Sequence, residues 1–130
     1  MRIRELYTRE VLSATIDETL TQAARRMTAN SVSALAVLDE GKLVGIITER
    51  DLTRAAADGT DPNRTFVAAQ MSLDPVFIRP DDDSADAARL MLELEIRHLP
   101  VVQSGQPVGM VSARDLLVLE AWEPSRRASV

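Results

Sequence analysis

Two short stretches carry the residue types that could do chemistry. Thr48-Glu49-Arg50-Asp51 and Ser112-Ala113-Arg114-Asp115 each set a hydroxyl three residues before a carboxylate, with an arginine between them. Each follows a glycine and two apolar residues, Gly45-Ile46-Ile47 and Gly109-Met110-Val111. An apolar run ending this way reads as a buried strand that turns into a helix. The first amides of such a helix have no partner inside it, and the helix dipole favours negative charge there. Those amides, a hydroxyl and an arginine can together hold a phosphate. The carboxylate can accept two hydrogen bonds from a cis-diol. The same spacing also fits a capping box, which needs no ligand. Arg50 and Arg114 fit a phosphate contact and a solvated surface equally well.

Other chemistries find no support. The chain has no cysteine, which excludes disulfides, thiolate metal sites and thiol catalysis. His98 is the only histidine, with no nucleophile or second titratable partner in pattern, so it is expected to line a pocket or to pack. Asp81-Asp82-Asp83 reads as a solvated helix start rather than a metal cluster. No glycine-rich phosphate loop is present. The expectation is a protein that is not an enzyme and has no metal or cofactor. Net charge is −5, and Lys42 is the only lysine, so nonspecific nucleic-acid binding is not expected. No 18-residue apolar run exists, and MRIRELYTRE lacks the apolar core of a signal peptide. A cytoplasmic location without a membrane partner is therefore expected.

The elements that must position these groups follow from periodicity. The 130 residues are 45% hydrophobic and only 3% aromatic, so the core must be Val, Ile, Leu, Ala and Met. Residues 1–13 form a lead-in with Ile3, Leu6, Val11 and Leu12 apolar. Thr19 or Asp17 caps a helix whose Leu20, Ala23, Ala24 and Met27 share one face. Asn30-Ser31 ends it. Ala34 to Leu38 reads as a strand, Asp39 to Lys42 as a turn with Gly41 at positive φ, and Leu43 to Thr48 as the return strand. Residues 49–58 form a helix with Leu52, Ala55 and Ala56 inward, stopped by Gly59.

The order then starts again. Phe66 to Met71 repeats the lead-in, Asp81-Asp82-Asp83-Ser84 caps a second helix containing Met91, and Val101-Val102 is a strand. Val108 to Ser112 returns, and a last helix runs from Ala113 to Trp122, where Trp122 packs on the helix or meets a second copy. A shift of 64 residues aligns Asp17 to Leu52 with Asp81 to Leu116 without a gap, matching Leu35 with Leu99, Gly41 with Gly105 and Arg50-Asp51-Leu52 with Arg114-Asp115-Leu116. One copy of about 60 residues would have a marginal core, so the two copies are expected to share one. The organisation is read as a first repeat over 1–59 including its lead-in, a linker over 60–65, a second repeat over 66–122 and a flexible tail over 123–130. The fold class is α/β (α+β), two helix-strand-strand-helix repeats related by a pseudo-two-fold axis.

Arg97-His98-Leu99-Pro100-Val101-Val102, followed by a glycine turn and Gly109 to Leu116, resembles a CBS domain. With Gly45 to Leu52 in the first copy, the chain resembles a tandem CBS pair, or Bateman module, standing alone. That resemblance implies a regulatory module that binds an adenosine-containing ligand, AMP, ADP, ATP or S-adenosylmethionine, in the cleft between paired domains. It implies that Asp51 and Asp115 take ribose hydroxyls, and that Thr48 and Ser112 reach ribose or phosphate, with Arg50 and Arg114 beside them. It implies that Thr15-Ile16 with Ser33-Ala34, and Arg79 with Arg97-His98, flank the base. It also implies a homodimer formed through the four helices, with an effector protein as a further partner. The first copy has Ala34-Leu35-Ala36 where the second has His98-Leu99-Pro100, and Glu49 where the second has Ala113, so unequal sites are expected. The rival reading is a ligand-independent dimeric scaffold whose motifs act only as caps.

Overall fold

The structure, a computed structural model, describes residues 1–7 and 12–121. Val11 of the lead-in, Trp122 and the 123–130 tail lie outside the described residues. The element order is a 3-10 turn at Ile3–Glu5, then β1 (Ser13–Thr15), α1 (Leu20–Asn30), β2 (Ala34–Asp39), β3 (Lys42–Thr48) and α2 (Glu49–Ala57). Then come α3 (Val67–Gln70), β4 (Ser72–Leu73), α4 (Ser84–Leu94), β5 (His98–Gln103), β6 (Gln106–Ser112) and α5 (Ala113–Ala121). Mixed helices and strands give the expected α+β class.

The 64-residue repeat survives folding. The bounds of α1, β2, β3 and α2 recur 64 residues later in α4, β5, β6 and α5. So do the special backbone positions. Ser31 and Glu95 both close their helices at φ 54°, and Gly41 and Gly105 sit in the hairpin turns at φ 78° and 77°. A glycine meets that left-handed requirement without a Cβ clash.

Helix starts follow side-chain chemistry. Thr19, not Asp17, is the N-cap of α1, and its side chain accepts from the Gln22 N–H. Asp83 is the N-cap of α4, with Oδ1 accepting from the Ala85 N–H at 2.9 Å. The other two acids of that run do different work. Asp82 Oδ2 accepts from the Arg79 N–H, and Asp81 forms an ion pair with Arg4. In α2 the inward position is Ala55, at 3% exposure, with Leu52 half-buried; Ala56, expected inward, is exposed.

Two compact units result, each with its own core instead of the shared one expected, because each core is completed by an apolar residue from the other repeat's lead-in, Val67 in one and Ile3 in the other. One holds β1, α1, β2, β3, α2, α3 and β4, with a four-stranded sheet in the order β1-β2-β3-β4. β1 runs parallel to β2, and the other pairs are antiparallel. Its core is built on Leu20, Met27, Leu35, Val37, Ile47 and Val67. The other unit holds α4, β5, most of β6 and α5, with Leu99, Val101, Val111, Ile78 and Met91 inside.

The lead-ins are exchanged. Ile3, in the lead-in of the first repeat, is fully buried in the core of the second repeat's unit. Its N–H donates to Asp82 O at 2.8 Å, and the Ser84 N–H at the start of α4 donates to Met1 O at 2.8 Å. The second repeat's lead-in does the same for α1. Val67 is fully buried in the first repeat's unit, its N–H donates to Glu18 O at 2.7 Å, and the Leu20 N–H donates to Thr65 O at 3.0 Å. Met1 in the first lead-in and Thr65, just before the second, thus each give a carbonyl to an orphan amide at the start of the other repeat's first helix.

Candidate functional site

In the first repeat, β3 ends at Thr48 and α2 begins at Glu49 without a connecting loop. Thr48 is extended, at φ −126° and ψ 167°, as an N-cap residue should be. Asp51 Oδ2 accepts the Thr48 N–H at 2.8 Å, while Thr48 Oγ1 accepts the Asp51 N–H at 3.4 Å. The second repeat repeats this reciprocal arrangement. The Ser112 N–H donates to Asp115 Oδ2 at 2.8 Å, and the Asp115 N–H donates to Ser112 Oγ at 3.2 Å. Both motifs are therefore real capping boxes.

Capping engages one oxygen of each carboxylate. Asp51 is 6% exposed, and its Oδ1 lies 3.7 Å from Arg54 Nη1. Asp115 is half-buried. The helix-start amides are partly engaged as well. The Glu49 N–H donates to Ser33 O at 3.0 Å, and the Ala113 N–H donates to Arg97 O at 2.8 Å. With Asp51 and Asp115, two of the first three amides of each helix already have partners inside the protein.

Strand pairing decides which other residues join the motifs. Ala34 pairs with Thr48, so Ser33 and Ala34 stand beside the Thr48–Asp51 turn. Ala34 is buried and Ser33 half-buried. In the second repeat, Arg97 meets the turn through its carbonyl, and half-buried His98 opens β5 next to it. Arg50, Arg97 and Arg114 are exposed.

Thr15, Ile16 and Arg79 are not brought to these turns within their units. β1 is parallel to β2 and pairs Thr15 with Leu38, four residues beyond Ala34. That is about 13 Å along a strand. Thr15 instead builds the turn into α1. Its N–H donates to Glu18 Oε1 at 2.9 Å and its hydroxyl donates to Asp17 Oδ1 at 2.7 Å. Ile16 packs on the core. Arg79 follows Ile78, which bridges Val101 in parallel, so it too lies toward the far end of β5 from His98. Its guanidinium carbon sits 5.4 Å from the centre of the Phe77 ring.

Residues preceding these bridges lie nearer the turns than Thr15, Ile16 and Arg79 do. The Ala36 N–H donates to Leu12 O, which puts Leu12 toward the start of β2. Val76 and Phe77, both exposed, precede Ile78 and approach the start of β5. A signal existed: a strand that reaches its neighbour through a helix runs parallel to it, so starts align with starts.

Two carboxyls are held below their usual range. The Arg26 guanidinium, bonded to Glu18 at 2.8 and 2.6 Å, lowers the Glu18 carboxyl. The Ala85 N–H does the same for Asp83. Both are helix-start devices away from the two motifs. Among the described residues, no group of three His, Cys, Asp or Glu side chains could hold a metal ion, and no helix is long and apolar enough to cross a membrane.

Comparison with known proteins agrees with the fold. The CBS domain family model matches twice, over residues 3–58 and 67–121. The CBS domain-containing protein YhcV of Bacillus subtilis is 34% identical over 117 residues, covering 89% of this chain and 83% of YhcV. The CBS domain pair of protein MJ0100, solved with 5-methylthioadenosine and S-adenosyl-L-methionine, superposes with a TM-score of 0.86 at 25% identity, covering 93% of this chain and 96% of that one. The CBS domain protein PAE2072 of Pyrobaculum aerophilum, solved with AMP, gives 0.84 at 27% identity, covering 92% and 97%. The chain spans only 21% of CBSCBSPB2, a CBS domain-containing protein of Arabidopsis thaliana that is 32% identical to it over 111 residues and 84% of this chain.

Proposed function

The chain belongs to the CBS domain family, and from that premise we propose that it is a non-catalytic regulatory module that binds an adenosine-containing ligand and signals through a homodimer. The observation that carries the reading is the pair of matching carboxylates at the two strand-to-helix turns. In each, the cap fixes Oδ2 and leaves Oδ1 as the acceptor for a ribose hydroxyl. The solved relatives with AMP, or with methylthioadenosine and S-adenosylmethionine, support that ligand class.

The two turns differ in strength. Arg54 competes for Asp51 Oδ1, and Glu49 adds a negative charge where a phosphate would approach. The second repeat has Ala113 in that place, with exposed Arg114 and Arg97 nearby. Asp115 with Ser112 is thus the stronger site, and His98 supplies a flat face for a base beside it.

One observation favours the rival scaffold reading: the capping boxes account for both motifs without a ligand. Asp115→Asn separates the two. Asparagine Oδ1 still accepts the Ser112 N–H, so the cap persists, but the amide nitrogen cannot accept from a diol. Thermal unfolding of the full chain with AMP, ATP, S-adenosylmethionine and methylthioadenosine reads the outcome. A ligand at 100 times its Kd should stabilise the wild type by about 2.7 kcal/mol. Asp115→Asn should weaken binding by roughly 10- to 100-fold, the cost of losing hydrogen bonds to a charged acceptor. No stabilisation by any of the four at millimolar concentration would leave the scaffold reading.

A further inference from the structure

The two strand-to-helix turns share their ribose-facing carboxylates and differ in the charges around them. A shift of 64 residues sets Glu49 against Ala113, Arg54 against Val118 and Ser33 against Arg97. Arg50 and Arg114 are common to both turns and exposed.

The differences act on a ligand in two distinct ways. Asp51 is more than nine-tenths buried, and its Oδ1 lies 3.7 Å from Arg54 Nη1, beyond hydrogen-bond reach. A ribose diol must draw that oxygen from Arg54 whatever else the ligand carries, so Arg54 lowers the affinity of every adenosine alike. Glu49 discriminates. It is exposed at the first position of α2, among the orphan amides that would hold a phosphate. Two of those amides are already engaged, the Glu49 N–H by Ser33 O and the Asp51 N–H by Thr48 Oγ1. Arg50 offsets Glu49 and no more, so a 5′-phosphate meets little net attraction at this turn and must still give up its hydration. At the second turn Arg97 and Arg114 are both exposed, and the first position of α5 is Ala113.

We infer that Glu49 is a charge filter. The first turn takes an adenosine whose 5′ substituent is neutral or cationic, a thioether or sulfonium nucleoside, and the second takes a 5′-phosphate. An unfavourable charge set against the wrong ligand separates molecules that share their other contacts. One chain thus carries two inputs of different chemistry. This inference rests on the adenosine-binding reading and says which adenosines each turn takes.

Methylthioadenosine and AMP share the nucleoside and differ in 5′ charge, so together they isolate the filter. Each is titrated into the full chain, and the amide NMR signals of residues 48–51 and 112–115 report the two turns separately. At 48–51 methylthioadenosine should bind more tightly than AMP, and at 112–115 the order should reverse. Glu49→Ala should raise AMP affinity at 48–51 about tenfold and leave methylthioadenosine within about twofold, since it removes one exposed charge near a phosphate of nearly two. Ala113→Glu, which suits a helix start, should weaken AMP at 112–115 by about as much. The gain from Glu49→Ala should shrink in about 0.5 M salt, which a merely structural effect would not do. AMP the tighter ligand at both turns, or a preference at 48–51 untouched by Glu49→Ala, would overturn the filter and leave adenosine binding standing. If neither ligand moves either set of signals at millimolar concentration, the adenosine-binding reading falls and the filter with it.

Discussion

Ile3→Ala tests the exchange of lead-ins. Ile3 is fully buried, in a cluster with Ile78, Leu99, Val101 and Val111. The substitution removes three carbons from that cluster. At about 0.8 kcal/mol per buried methylene this is roughly 2.4 kcal/mol, and the residual cavity raises it to about 3 kcal/mol, within the range for Ile→Ala. At roughly 4 °C per kcal/mol for a chain of this size, Tm should fall by about 12 °C. Met1→Ala, at an exposed neighbour, is the control and should shift Tm by less than ~2 °C. Urea unfolding gives the free energy, and methyl NMR gives the location. Shifts should centre on Ile78, Leu99, Val101 and Val111 and leave Val37 and Ile47 near their wild-type positions. A loss below about 1 kcal/mol, or shifts centred on Val37 and Ile47, would refute the placement of the lead-in with the second repeat.

Two further tests concern packing and pH. An added Cβ at Gly45 would meet the Met71 sulfur and the Ser72 carbonyl oxygen, both at 2.7 Å. The sulfur can swing aside, but the carbonyl belongs to the β3–β4 pair, so Gly45→Ala should cost about 1–3 kcal/mol in urea unfolding and raise hydrogen exchange at Ser72 and Leu73. An unchanged midpoint would show that β4 yields freely. The Arg26 guanidinium holds the Glu18 carboxyl below its ordinary value, so the folded state binds that proton less readily than the unfolded chain. The contribution is present above the unfolded pKa and is lost as pH falls through the lowered one. Glu18→Gln should therefore cost roughly 1 kcal/mol at pH 7, discounted for the partial exposure of the pair, and show a shallower loss of stability below pH 5 than the wild type. Parallel stability curves for the two proteins from pH 7 to 3 would contradict this.

How much was legible depended on whether the controlling contacts were local. The hairpin turns with Gly41 and Gly105 and the capping boxes at Thr48 and Ser112 each depend on residues within four positions of one another, and the 64-residue repeat shows by aligning the chain with itself. Backbone sterics and orphan amides act over that range, so residue type alone specifies them. Periodicity likewise placed Leu20, Ala23 and Met27 in the core, but Ala24, expected on the same face, is only half-buried at its edge. Ala56 was misplaced because a helix of nine residues offers three consecutive alanines to a narrow contact, and only the packed neighbour picks Ala55.

Tertiary structure decided the rest. Ile3 and Val67 sit next to their own repeats in the chain, yet each closes the core of the other, because the amides that need their carbonyl neighbours start α4 and α1. Thr15 and Arg79 carry suitable side chains but fall at the far ends of β2 and β5, a consequence of parallel register that no single residue announces. By itself the sequence determined what each turn could do chemically, since that is a property of side chains a few residues apart. Which side chains share the end of a sheet with those turns, and which helix faces stay apolar and open, depended on long-range pairing, and only the folded chain supplies that.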